Sequence, residues 1–285
     1  MFGAAMGSLD IAQYIVDVDE KFARGDDAIA VLIRAAMRTD TREKTRGKRR
    51  VLQIGSKSIC FGSYFEAIDG GFIAEIPAPW MQGRTSYGGF SAALALEAAR
   101  GLADDLPPLR SAQVSFVGPL TGEVEVRARM LRRGKNASWI SAEVTSEAGV
   151  GLTATFVFMG PVESTLHLHE VPMPAEVIAP DQAVPLPAGV GPSFGQNFDR
   201  RFALPQSSHR KPEICWWVRL KDSAGLDPMV NLMLTADMLP PGVLPLMPKS
   251  SPVSSMTWLV NLLTPLPQTR DGWWLLRSAG NYAEK

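Results

Sequence analysis

The sequence predicts an α+β protein of two similar units, each an antiparallel sheet wrapped around a buried central helix. Three observations lead there. The segment Phe90 to Leu102 reads as a helix, with Leu94, Ala95, Ala98 and Ala99 but only Glu97 and Arg100 charged. Such a helix must be covered on most faces. Four strand candidates follow it, joined by connections too short for crossover helices. The order strand, apolar helix, strands then recurs toward the C-terminal end, an internal architectural repeat.

The elements follow in order. Asp10 to Met37 is expected to be helical, because Ile11, Tyr14, Ile15 and Val18 recur at three- and four-residue spacing. The run Arg38 to Arg50 holds seven basic and two acidic residues and almost no apolar ones, the pattern of a solvated segment. Residues 1–54 are therefore an N-terminal helical and basic extension. The first globular unit spans 55–160. Phe72 to Ile76 alternates as a strand and stops at Pro77 and Pro79. After the helix come Ser111 to Val117, Glu123 to Leu131, Ala137 to Glu147 and Gly151 to Phe158, separated by Gly-containing turns. In the second of these, Val124, Val126 and Ala128 alternate with charged residues, so one face is buried and the other meets water.

Residues 161–211 form a Pro-rich linker, which cannot hold a regular helix; a first strand of the next unit is expected around Phe194 to Phe202. The second unit covers 212–285. Its elements are a strand Ile214 to Leu220, a helix Met229 to Leu239 opened by Asp227-Pro228, and strands Val253 to Leu262 and Trp273 to Ala279. Compared with the first unit it reads as two strands short, so the expectation is either a unit incomplete at its C-terminus or a partner that covers the raw sheet edge.

Composition narrows the function. The chain has 285 residues and a formal net charge of zero, whereas a nucleic-acid-coating protein needs a basic surplus. No apolar run reaches the roughly 18 residues of a membrane span, and Met1 to Asp10 lacks the pattern of a signal peptide. A cytoplasmic location is the resulting expectation. Cys60 and Cys215 are far apart in apolar surroundings, so they read as reduced, buried thiols.

Three segments carry a resemblance. Trp80-Met81-Gln82-Gly83-Arg84-Thr85-Ser86-Tyr87-Gly88-Gly89-Phe90, with the later run Arg110 to Leu120, resembles the start of the central helix and the next strand in TesB-like acyl-CoA thioesterases. Leu234-Thr235-Ala236-Asp237-Met238-Leu239-Pro240-Pro241 resembles their second helix with its acidic residue. The resemblance runs from about residue 58 onward. It implies a double hotdog fold, an acyl-CoA substrate and hydrolysis by an activated water, with no cofactor. The family's catalytic set is an Asp, a Thr on the following strand and a Gln near the last strand. The Asp matches Asp237. The Thr position falls near Pro252, where Ser251 or Ser254 could supply the hydroxyl, with Thr257 a further candidate; the Gln position would lie beyond Lys285.

The residues themselves point the same way. Asp237 is the only charged side chain between Val230 and Leu239. A carboxylate in such company has a raised pKa and suits a general base, unless it merely points to solvent near the helix end. Gly88 and Gly89 open the first helix, where backbone amides can approach a ligand closely or where helix and sheet simply pack tightly. Gln82, Arg84 and Tyr87 are candidate substrate contacts. No G-x-S-x-G elbow occurs, which argues against a serine nucleophile. His167-x-His169 lacks an evident third metal ligand. In Trp216-Trp217 and Trp273-Trp274 one indole of each pair must face outward, toward a domain or subunit interface, and homo-oligomerisation is expected. An acyl-CoA-binding protein without hydrolysis is the alternative, favoured by the Ser251 to Ser254 departure. A dehydratase would want a helical histidine, which the sequence lacks.

Overall fold

The computed structural model describes the side chains of the main body, residues 66–166, 168, 173–248, 253–265, 267–269 and 271–282, together with backbone strands at 11–16, 51–52 and 65. In chain order the strands are β1 Ile11–Val16, β2 Val51–Leu52, β3 Phe65–Ile68, β4 Gly71–Glu75, β5 Met81–Gln82 and β6 Thr85–Ser86. Helix α1, Gly88–Arg100, precedes β7 Leu109–Phe116, β8 Glu123–Arg133, β9 Ala137–Ser146 and β10 Gly149–Met159. The later elements are β11 Phe198–Phe202, β12 Glu213–Leu220, α2 Pro228–Ala236, β13 Thr257–Asn261 and β14 Trp274–Gly280.

The first unit forms around α1. Ten of its residues are buried, from Gly89 to Ala99, and alanines on the covered faces let the sheet come close. Val124, Val126, Ile140, Ala142, Val144, Leu152, Ala154 and Phe156 meet it from alternate positions of β8, β9 and β10. Each large side chain buried there contributes about 2–3 kcal/mol. The sheet order is β13-β7-β10-β9-β8-β4-β3-β2, with antiparallel pairing throughout. Thus β13, expected in the second unit's own sheet, is instead an edge strand beside β7.

The second sheet has the order β1-β14-β12-β11. The helix expected from Asp10 is corrected over Ile11–Val16, which pairs antiparallel with β14, Ile11 opposite Gly280 and Val16 opposite Leu275. The free edge of β14 supplies backbone partners that an isolated helix would forgo. The rest of that expected helix, and the basic run, lie outside the described residues. By order, β12, α2, β13 and β14 repeat β4, α1, β7 and β8. In that scheme β1 takes the place beside β14 that β9 takes beside β8, so one of two strands expected to be missing comes from the N-terminal segment.

The helix α2 has nine residues, shorter than expected, and ends at Ala236. It starts at Pro228 because Asp227 accepts the amides of Met229 and Val230, at 2.8 and 3.4 Å. The helices run antiparallel, with Gly88 against Asp237 at one end and Arg100 against Asp227 at the other. Residues of both units share one core.

The outward indole of β12 does not face a free surface. Trp217 is fully buried and donates to the Ile178 carbonyl at 2.7 Å. Ala183, Ala203, Cys215 and Leu275 surround it, with Met173, Val177 and Ile178 of the Pro-rich segment packed against them. This segment therefore covers the outer face of the second sheet. Trp273 packs beneath the guanidinium groups of Arg201 and Arg219.

At the closed end of the helix pair, Arg100 lies 2.6 Å from Asp227 and 3.3 Å from Glu97. Burial raises the Glu97 pKa, while Arg100 opposes that shift. Arg100→Met leaves two acids together with no cation between them. It is expected to lower stability by about 2–3 kcal/mol, measured by urea unfolding.

Candidate active site

The start of α1 is held by a short hairpin. Pro77 and Pro79 end β4 and lead through a 3-10 turn, Ala78–Trp80, into β5 and β6. Gly83 takes a positive φ of 65° at the hairpin tip, where a side chain would be strained. The hairpin is tied to the β7–β8 connection, because Ser86 donates its amide to the Leu120 carbonyl at 2.7 Å and Leu120 donates to Thr85 Oγ1 at 3.0 Å. Tyr87 then stacks on Phe194 with ring centroids 4.0 Å apart.

Opposite this turn stands Asp237, the C-cap of α2, with φ −84° and ψ 8°. A Cβ added to Gly88 would lie 2.6 Å from Asp237 Oδ2 and 2.8 Å from the Phe116 ring. The carboxylate therefore fits only because Gly88 has no side chain. Burial pushes the Asp237 pKa up to about 7, and the Gly89 amide, which donates to the carboxylate, opposes that shift. Asp237 thus stands at the N-terminal end of one helix, which favours its charge, and the C-terminal end of another, which does not.

Asp237 opens onto a cavity of roughly 720 Å³. Gly88, Ser91 and Phe116 line it beside the carboxylate, Gln82 and Arg84 line it from the hairpin, and Ser254 and Ser255 from the segment before β13. Its wall mixes hydroxyls with the apolar Phe116, Leu120 and Val253, the composition of a site for an amphipathic small molecule. The arrangement offers a base near neutrality, amides at a helix start and room for a ligand at the seam between the units.

The matches to known families fall on these elements. Residues 76–159 match the model of the acyl-CoA thioesterase N-terminal domain, and residues 174–284 that of the acyl-CoA thioesterase C-terminal domain. The chain belongs to the acyl-CoA thioesterase family. No curated protein matches this thioesterase-family chain by sequence. Among solved structures, a hot dog fold protein of unknown function from Alicyclobacillus acidocaldarius is 19% identical, covering 76% of this chain and 96% of its own, with a TM-score of 0.63. A candidate thioesterase II from Thermobifida fusca YX is 18% identical over 82% of this chain and 100% of its own, also at 0.63. The acyl-CoA thioesterase II TesB2 of Mycobacterium marinum is 14% identical over 77% and 96%, at 0.50. These likenesses establish the hotdog fold.

Within this thioesterase fold the expected site residues part ways. Asp237, Gln82, Arg84, Gly88 and Ser254 line one cavity, and Gly89 contributes its amide to Asp237. Tyr87, expected to touch a ligand, is instead fully buried and outside the cavity lining. Its ring is claimed by Phe194, Phe198 and Trp80. Thr257 is exposed on β13 and does not line the cavity either, because the alternation of β13 turns Trp258 and Val260 toward the core. Ser251, His167, His169 and Cys60 lie outside the described residues. Sequence reasoning missed Ser86, Ser91 and Phe116. Ser91 stands one turn after Gly88 and donates to Ser86 Oγ at 2.9 Å, so helical spacing from Gly88 could have found it.

The raised pKa of Asp237 has a consequence for stability. Between the ordinary carboxylate range and a pH of about 7 the folded chain holds a proton that the unfolded chain has released, so stability falls as pH rises through that window. An amide cannot ionise. Asp237→Asn is expected to raise the melting temperature at about pH 8 and to lose that advantage toward about pH 4, as read by calorimetry across the range.

Proposed function

We propose that the chain hydrolyses an acyl-CoA thioester by a water that Asp237 activates. The observation that carries this reading is a carboxylate held against the first turn of α1 and facing a cavity of ligand size, where burial pushes its pKa up to about 7. Such a base is ionised often enough near neutrality to accept a proton and basic enough to take it from water. Water bound between Asp237 and the thioester gives its proton to the carboxylate as its oxygen attacks the carbonyl carbon. The negative charge that develops on the carbonyl oxygen is stabilised by the N-terminal end of α1 at Gly88. Collapse breaks the carbon–sulfur bond. The proton held by Asp237 passes to the departing thiolate, leaving a free acid and CoA.

Ser254 faces the same cavity and is the hydroxyl suited to orient the water. Arg84, from the β5–β6 turn, suits an anionic part of the CoA moiety. The reaction uses no cofactor in this reading. A second reading, binding of acyl-CoA without turnover, is favoured by one detail. Among the described residues the Ser254 hydroxyl makes one long 3.5 Å contact, to the Ser255 carbonyl, so they hold this hydroxyl weakly.

A thiol-release assay over short, medium, long and aromatic acyl-CoAs decides between them. Hydrolysis is expected, with kcat/KM rising with pH to a plateau above a midpoint near the Asp237 value of about 7. Asp237→Asn is expected to lower kcat/KM by at least about a hundredfold while the circular dichroism spectrum stays unchanged. Gly88→Ala, whose Cβ would overlap the carboxylate, is expected to lower the rate to a similar level. Tight acyl-CoA binding with no thiol release across the panel would establish the binding reading instead.

A further inference from the structure

Tyr87 carries a hydroxyl that its packing does not require. The ring is fully buried, stacked on Phe194 and edge-on to Phe198, and a phenyl group would make the same contacts. A buried hydroxyl costs free energy unless it is bonded. This one donates to the Leu234 carbonyl at 2.8 Å, across the seam between the two units.

Leu234 lies in the last turn of α2. In a regular α-helix its carbonyl would accept the Met238 amide. The Met238 amide goes instead to the Thr235 carbonyl at 3.0 Å, a tighter turn of the 3-10 kind. The Leu234 carbonyl is thereby left for another donor, and Tyr87 supplies it. Asp237 is the residue directly before Met238, inside this tightened turn.

We infer that Tyr87 is a positioning residue: by occupying the Leu234 carbonyl, its hydroxyl tightens the end of α2 and turns the Asp237 carboxylate toward the Gly89 amide. This deepens the hydrolytic reading above and rests on it for its consequence in rate. Without the hydroxyl, the Leu234 carbonyl regains the Met238 amide. The last turn then winds on as α-helix and carries Asp237 away from α1 toward the water of the cavity. The Gly89 amide donates to the carboxylate, Tyr87 is close enough to interact with it electrostatically, and the hydroxyls of Ser86, Ser91, Ser254 and Ser255 line the same cavity. Arg84 of the β5–β6 hairpin lines it as well. Of these groups only Tyr87 changes when its hydroxyl is removed.

The test is Tyr87→Phe in the full chain, which keeps the ring and its stacking. The Asp237 carboxyl, followed by carbon NMR, is expected to titrate at least about one unit lower than in the wild type. The kcat for thioester hydrolysis is expected to fall at least about tenfold, with KM changing less than about threefold. Phe194→Leu removes the stacking and keeps the hydroxyl bond. It is expected to lower the melting temperature and leave the carboxyl titration in place. An unmoved titration in Tyr87→Phe, or an equal shift in both variants, overturns the inference. A wild-type chain that turns over no thioester sinks the hydrolytic reading, while the NMR titration still decides the positioning role.

Discussion

A carboxylate pressed against the first turn of a helix is the contact around which this molecule is arranged. It requires a glycine at the contact, because any side chain at Gly88 would occupy the space of Asp237 Oδ2 and of the Phe116 ring. It also requires two helices that end beside each other, so α1 and α2 must pack antiparallel. That packing in turn needs small residues between the helices and a sheet on their far sides, and both are present in the alanine-rich α1 and the alternating strands β8 to β10. Burial raises the pKa of the carboxylate and the helix amide limits the rise. A group poised near neutrality is the net result of these opposed effects.

The two ends of the helix pair make an instructive contrast. Tyr87 precedes α1 and Asp227 precedes α2, each as the N-cap residue. Glu97 follows Tyr87 by the same interval at which Asp237 follows Asp227, so each helix carries an acid at a matching position. Glu97 has Arg100 one turn on, and Arg100 also reaches Asp227. That end is closed by charge pairing. Among the described residues no cation pairs with Asp237, which faces a cavity. Fusion of two units into one chain permits this division, since each end can change sequence independently, which a symmetric pair of identical units cannot do.

Much of the first unit was legible because its signals were local. A nearly uncharged helix, alternating strands and Gly turns each follow from side-chain period and backbone freedom. Asp237 stood out because a lone acid in an apolar run demands an explanation. What could not be read was settled by distant pairing. Ile11 to Val16 fits helical spacing and is also rich in strand-forming residues; the open edge of β14, far along the chain, decides for the strand. The pairing of β13 with β7 is equally a matter of edges. Tyr87 lies beside Gly88-Gly89 and so looked like a ligand contact. Its burial depends on Phe194 and Phe198, where the sequence suggested the end of a linker and a first strand of the next unit but not a cover for the Tyr87 ring.

The site therefore belongs to neither unit. Gly88 and Gly89 come from the first, Asp237 from the second, and the hydroxyl bond from Tyr87 to Leu234 crosses between them. Other contacts hold the same seam. Ser193 donates to the Met81 carbonyl at 2.6 Å and Asn197 to the Pro79 carbonyl at 2.9 Å, fixing the hairpin before α1 to the segment before β11. A relative shift of the units by about an ångström would separate the carboxylate from the helix start that restrains its charge, and in the proposed reaction misplacement on that scale would be costly. In the proposed reaction the shared core therefore serves chemistry as well as stability. It packs the two units against each other so that a carboxylate on one is tuned by an amide on the other.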